Sequence, residues 1–195
     1  MQPVSVWVSA IVSLGRAVKA GLSAWRSAPK VEVDQLRQSP WFDAGQPIYE
    51  ITQIWFTNTP AAAGESSTAK DVTATLQFFD LNSRVARVTA RGQWAVTTAA
   101  EHVGYMGTTP VIDIPPGAPA VKLMAILKHS EDTSAYAYAQ ENIYASPDGR
   151  HPSYELPRGQ YRLRVRLGGK NVKKSFWFKI VNAGPGRQPA VLRSG

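Results

Sequence analysis

Residues 160–181 read QYRLRVRLGGKNVKKSFWFKIV, and the period of this stretch decides the fold. Tyr161, Leu163, Val165 and Leu167 alternate with Arg162, Arg164 and Arg166. Beyond a Gly-Gly turn region, Phe176, Phe178 and Ile180 alternate with Ser175, Trp177 and Lys179. Strict alternation puts one set of side chains on a buried face and the other in water. The stretch therefore predicts a β-hairpin with an apolar underside and a basic, Trp-bearing top.

Two registers suit the hairpin. A two-residue primed turn at Gly168-Gly169, which needs positive φ, sets Arg164 opposite Lys173 and Tyr161 opposite Phe176. A four-residue loop over Gly168–Asn171 sets Arg166 opposite Lys173, Arg162 opposite Trp177 and Leu163 opposite Phe176. Both keep the same two faces, and both leave one like-charge cross-strand pair, which is destabilising unless an anion lies nearby. Lys174 falls on the apolar parity, which predicts a bulge or an edge position with the ammonium snorkelling outward.

Working outward, the chain has 195 residues and 44% apolar content, enough for one domain with a real core and an appendage. Cysteine is absent, which removes disulfides, thiolate nucleophiles and Cys-based metal sites and fits a reducing compartment. The net charge of +8 is unevenly spread: residues 1–31 hold four basic residues and no acid, residues 32–155 hold 8 basic and 14 acidic residues, and residues 156–195 hold ten basic residues and no acid. Two readings follow. The basic C-terminal strands lie beside acidic strands of their own sheet, or they form a surface aimed at phosphate or acidic lipid.

Residues 3–27 place Val4, Trp7, Val8, Ile11, Leu14, Val18, Leu22 and Trp25 at helical spacing on one face, with Ser5, Ser9, Arg16, Lys19, Ser23 and Ser27 opposite or on the flank. A helix of about 24 residues would run roughly 36 Å. Arg16 interrupts the uncharged run well short of the ~20 apolar residues of a span. A secretory signal is not expected either, because no basic segment precedes the apolar run. Three readings stand: the helix lies in a membrane interface, packs on the domain or on a copy of itself, or is an organelle presequence.

Between these ends, strands are predicted over residues 31–37, 48–58, 70–81 and 120–128. The apolar parity shifts between Ile51 and Ile54, which points to a bulge. Residues 84–94 read as the hairpin partner of 70–81, with Val85 or Val88 toward the core and Trp94 as a core plug. Residues 39–47, 59–67, 97–117 and 146–159 read as loops, and 133–145 carries an AYAYA run. About eight or nine short strands without alternating helices favour a mainly β, antiparallel sandwich. The expected division is an amphipathic helix over 1–29, a sandwich over 30–183 and a basic flexible tail over 184–195.

The segments AKDVTATLQFFD (69–80), RGQW (91–94) and YRLRVRLGGKNVKKSFWFKIVN (161–182) resemble prokaryotic immunoglobulin-like β-sandwich modules. In these a strand of the form A-x-x-V-x-x-x-L-x-F, a later Trp after a basic hairpin strand, and a closing Y-x-x-x-V hairpin recur. Many follow one or two N-terminal hydrophobic helices and have no assigned activity. The resemblance spans residues 31–183, implies an immunoglobulin-like sandwich and brings no catalytic residue. It departs at the N-terminus, where a single amphipathic helix stands in place of a clean span.

Residues in patterns that carry chemistry are few. His102, His129 and His151 have no partner at metal-ligand spacing and read as loop or surface histidines. Glu131, Asp132 and Asp148 could offer oxygens to calcium, but match no EF-hand loop. Nucleotide-loop, dinucleotide-loop and nucleophile-elbow motifs are absent. No catalytic residue, cofactor or metal is expected, and a small-molecule substrate is not. The best binding candidate is the exposed hairpin face: Arg162, Arg164, Arg166, Lys173 and Lys179 around Trp177, a combination suited to phosphate and to stacking. In the bland alternative, Trp177 covers apolar surface and the arginines pair with neighbouring carboxylates. The helix face of Trp7, Val8, Ile11, Leu14, Val18, Leu22 and Trp25 is the second candidate. The expected role is a non-catalytic binding or accessory module, cytoplasmic or peripheral at the membrane, tethered through its helix to a membrane surface or protein partner. Nucleic-acid binding through the basic face is the alternative. A carbohydrate- or ion-binding site around Tyr136, Tyr138 and Tyr144 is a third.

Overall fold

A computed structural model of the chain describes residues 17–43, 46–62, 67–96, 107–146 and 148–193; of residues 41–43 and 46–48 it describes the backbone alone. Residues 17–26 are helical (α1). Then come β1 (Val31–Asp43), β2 (Gln46–Asn58), β3 (Ala69–Asp80), β4 (Val88–Arg91), β5 (Gln93–Val96), β6 (Gly107–Thr109), β7 (Val111–Ile114), β8 (Val121–His129) and β9 (Ala135–Ala137). The short helix α2 (Gln140–Ala145) and a 3-10 turn at Pro152–Tyr154 lead to β10 (Glu155–Leu156), β11 (Gly159–Gly168), β12 (Lys173–Asn182) and β13 (Ala190–Arg193). All pairings among the described residues are antiparallel.

Two sheets form. One runs β1-β2-β8-β5-β6, with β9 and β10 branching from β8; the other runs β13-β12-β11-β3-β4, with β7 on β3. They pack face to face as a sandwich-like body. The core joins Val31, Ile54, Phe56 and Leu123 of the first sheet to Leu76, Phe78, Val165 and Phe178 of the second. In β3 the alternation holds as read: Val72, Ala74, Leu76 and Phe78 are buried, while Thr73, Thr75 and Gln77 are half-buried on the outer side.

The closing hairpin keeps its predicted faces in a different register. Gly168 pairs with Lys173, Arg166 with Ser175, Arg164 with Trp177 and Arg162 with Lys179. The loop is residues 169–172, closed by the Gly169 N–H donating to the Val172 carbonyl at 2.9 Å. Neither Gly168 nor Gly169 has positive φ. Gly169 is needed because a Cβ there would meet the Lys70 carbonyl at 2.5 Å; strand β3 passes too close for a side chain. Lys174 causes no bulge. It sits opposite Leu167 in an unbroken ladder, and its ammonium donates to the Val31 carbonyl of the other sheet at 2.9 Å.

Segment 84–94 is not one strand. β4 stays beside β3, and the chain crosses to the first sheet at Gly92. A Cβ at Gly92 would lie 2.8 Å from Ala74 Cβ and 2.9 Å from Leu123 Cδ1. Trp94 thus reaches the core from the opposite sheet, fully buried, and donates its indole N–H to the Val72 carbonyl at 3.1 Å. It meets Phe56 edge-on at 5.8 Å. Val88 is the core residue of this segment; Val85 is 78% exposed.

The β2 bulge falls where the parity shift placed it, between Thr52 and Gln53 opposite β8. It turns Ile51 and Met124 to the outer side, where they and Ala95 form a second apolar cluster with Tyr49 and Tyr138 packed against it. Covered on both sides, β8 is buried continuously from Leu123 to His129. β1 runs on through residues 39–43, which read as loop in the sequence. The expected flexible tail also departs from the reading, since Ala190–Arg193 adds a strand to β12. Thirteen described strands exceed the eight or nine expected, because β6, β9 and β10 span only two or three residues. An alternating pattern needs more length than that.

Three buried asparagines hold the connections. Asn58 donates to the Ser67 and Ile114 carbonyls and accepts from Lys30 N. Asn142 ties Ala137, Gly149 and His151 in the same way, and Asn182 ties Thr133, Leu156 and Gly184. Each such bond contributes about 1 kcal/mol net, and losing one leaves a buried backbone group unpaired.

Candidate functional site

The outer face of β3, β11 and β12 is built in rungs. From base to turn these are Phe79–Arg162–Lys179, Gln77–Arg164–Trp177, Thr75–Arg166–Ser175 and Thr73–Gly168–Lys173. The register brings together all six residues singled out in the sequence, but the rungs divide into two kinds.

The two rungs near the base are committed internally. Arg164 donates from Nε and Nη2 to Gln77 Oε1 at 3.0 and 2.6 Å. Arg162 donates from Nη2 to the Ser83 carbonyl at 2.6 Å, while its buried Nε has no partner. Both guanidinium carbons lie 5.4–5.9 Å from the ring centroids of Phe79 and Trp177. The two rings are 5.7 Å apart and tilted by 43°. Phe79 faces outward and is nevertheless 7% exposed, because this stack covers it; Trp177 is 37% exposed. Trp177 thus does cover apolar surface. The arginines find an amide, a carbonyl and two rings where carboxylates were the bland expectation. Arg162 opposite Lys179 is the one like-charge pair of the hairpin's outer face.

The two rungs near the turn are open. Arg166, Lys173 and Ser175 are exposed, and a cavity of about 350 Å³ lies between them, lined also by Thr73, Thr75 and the Gly168 backbone. No carboxylate lines it. None of the ion pairs among the described residues involves Arg162, Arg164, Arg166, Lys173 or Lys179. Sequence reading missed Phe79, Gln77, Thr75 and Gly168. The available signal was the Phe78-Phe79 doublet, one member of which must point away from the core.

On α1, Val18, Leu22 and Trp25 are 55%, 53% and 73% exposed. For these three, packing on the sandwich is overturned. Trp7, Val8, Ile11 and Leu14 lie outside the described residues. The end of α1 is tied to the body by the Ala62 N–H donating to the Arg26 carbonyl at 2.9 Å. No described helix is long and apolar enough to cross a membrane.

Of the remaining candidates, His102 lies outside the described residues. His129 is buried at the end of β8, not on the surface; its Nε2 lies 2.8 Å from the Asp148 carbonyl and its ring meets Tyr49. His151 Nδ1 accepts from Ser153 N at the start of the 3-10 turn. Asp132 and Asp148 converge on Arg150, which binds Asp132 through two parallel bonds of 2.8 and 3.0 Å. The carboxylates of Asp132 and Asp148 are thus both engaged by a guanidinium. Those bonds raise the Arg150 pKa, while the Ser146 hydroxyl, ahead of Arg150, lowers that of Asp148. Among the described residues, no group of three potential ligands could hold a metal. Lys128 is buried with its ammonium on the Asp132 and Ser134 carbonyls, and burial lowers its pKa. Tyr136 is buried, Tyr138 half-buried and Tyr144 exposed. Trp55, between Arg37 at 4.5 Å and Lys122 at 5.0 Å, is a further cation–aromatic group that went unread.

Comparison with known protein families, curated proteins and solved structures finds no match to this chain.

Proposed function

We propose that the chain is a non-catalytic, immunoglobulin-like binding module that docks on a membrane surface through its N-terminal helix. Strand order supports the immunoglobulin-like reading. β1-β2-β8-β5 corresponds to the A-B-E-D sheet of such domains, and β12-β11-β3-β4 to G-F-C-C′. Tyr161 adds to it: its hydroxyl donates at 2.6 Å to the Pro157 carbonyl, four residues upstream, as in the tyrosine corner of these folds.

The observation that carries the docking is the exposed stripe of Val18, Leu22 and Trp25, flanked by Lys19 and Arg26. Apolar surface of this kind on a basic helix suits a lipid interface. The helix joins the body at Lys30, and the same end carries the exposed Lys70 and Lys173. Cations at that end add attraction to anionic headgroups of about 1 kcal/mol each near the surface. Flotation with phosphatidylglycerol vesicles tests the reading. The full chain should float, and Leu22→Asp or removal of residues 1–29 should abolish flotation. Flotation that survives both changes, or none at all, counts against it.

A second reading, binding of a nucleic-acid backbone by Arg162, Arg164, Arg166, Lys173, Trp177 and Lys179, draws on the absence of carboxylates between these groups. It is weakened by the internal use of Arg162, Arg164 and the Trp177 ring. Here log K should fall by about 0.7 to 0.9 per phosphate contact with log salt, and Arg162→Ala and Arg164→Ala should each weaken binding. No binding at low salt removes it.

A further inference from the structure

We infer that the open turn end of the β11–β12 face is a binding cup for a phosphate ester. The cup exists because one position lacks a side chain. In the last rung Gly168 stands between Thr73 and Lys173, and a Cβ placed there would meet only the Thr73 hydroxyl, at 3.8 Å. The dent between the flanking rungs opens to about 350 Å³, at the small end of the range, from about 300 Å³, of small-molecule sites. Arg166 rises on one side with its planar fork of donors, and Lys173 on the other as a point charge, the two cation types that bind phosphate oxygens. Thr75 and Ser175 flank Arg166 on the neighbouring strands and bring hydroxyl donors to the same rung. The Thr73 hydroxyl is committed to the Gly168 carbonyl at 3.1 Å and shapes the wall.

The surroundings favour an anion. Asp71 lies near the turn but is neutralised by Lys170 at 2.7 Å, a pairing that raises the Lys170 pKa. Arg164, one rung away, is held by Gln77 and leaves the ligand to Arg166. The inference goes beyond membrane docking and does not rest on it. The same chemistry could come from a soluble phosphate ester or from a lipid headgroup.

The test is an amide-resolved NMR titration of the full chain with inorganic phosphate and with glycerol 3-phosphate, alongside flotation with phosphatidylglycerol vesicles. Resonances of Gly168, Gly169 and Lys173 should shift saturably with glycerol 3-phosphate. Arg166→Gln and Gly168→Val should each weaken binding about tenfold or more, the second without changing any charge. Gly168→Ala is the milder filler should the valine disturb the strand, and Arg187→Gln, an exposed cation in the connection after β12, should bind as the parent does. Shifts with the soluble ester alone identify a soluble ligand. Shifts together with flotation that weakens in Gly168→Val identify a headgroup, and both results support the cup. Leu22→Asp should leave the shifts intact, which separates this outcome from failure of helix docking. Absence of shifts with either soluble probe, or glycine variants that bind like the parent, overturns the cup.

Discussion

On the outer face of the first sheet, Ile51, Ala95 and Met124 lie together with Tyr49 and Tyr138 packed against them. On the outer face of the second, Phe79 lies under Trp177, Arg162 and Arg164. Both covers exclude water from apolar side chains, with different residues and different consequences. The first is oil and phenol, and it turns a central strand into one buried on both sides. The second is guanidinium and indole, which cover a ring while leaving charge outside. Of the two covers only the second carries charge, and the proposed cup lies where that charge is not already used.

The largest expected break in this contrast is Phe79→Ala. Removing a covered ring should destabilise by about 3 kcal/mol, whereas Arg166→Ala, two rungs nearer the turn, should cost under about 0.5 kcal/mol. Urea unfolding of the two variants measures both. Similar losses would mean that the rungs are not two kinds.

Alkaline pH probes the first cover alone. Burial, with a smaller contribution from Tyr49, pushes the Tyr138 pKa up to about 12. A phenol in the unfolded chain titrates near 10. Between those values the folded state keeps a proton that the unfolded state has lost, so stability falls as pH rises, by roughly 2 kcal/mol over the interval. Tyr138→Phe should flatten the decline. An unchanged slope would place the effect elsewhere.

Arg164→Ala should cost about 1–2 kcal/mol through the lost Gln77 bonds and ring contacts. Arg164→Lys should recover little of it, since one ammonium cannot reproduce two bonds to a single amide oxygen while lying over the rings. Smallest is Lys179→Glu, which replaces the like-charge partner of Arg162 by an opposite one and should stabilise by about 0.5 kcal/mol. A thermal-shift series would show its sign.

Much of this was readable in the residues. The hairpin's two faces, the alternation of β3, the β2 bulge and the burial of Trp94 all follow from period and side-chain type. The register did not, because both candidate turns assumed that Gly168 turns the chain, while Gly169 is held by its close approach to Lys70 in a strand about 100 residues earlier. The crossing at Gly92 and the short strands β9, β10 and β13 depend on partners distant in sequence and leave no local pattern. At the site, the cationic face was legible as a stripe. Its division was not, since that depends on which β3 residue stands beside each arginine.

The central claim is that the stripe of α1 enters a lipid interface while the sandwich stays outside. The absence of cysteine permits one clean measurement: the full chain carrying Leu22→Cys, labelled with an environment-sensitive fluorophore, against Val85→Cys, labelled likewise in a loop beyond β3. On phosphatidylglycerol vesicles, the label at residue 22 should shift to the blue and become shielded from an aqueous quencher, and the label at residue 85 should not change. Equal exposure of both labels to the quencher, with vesicles present, would contradict the account.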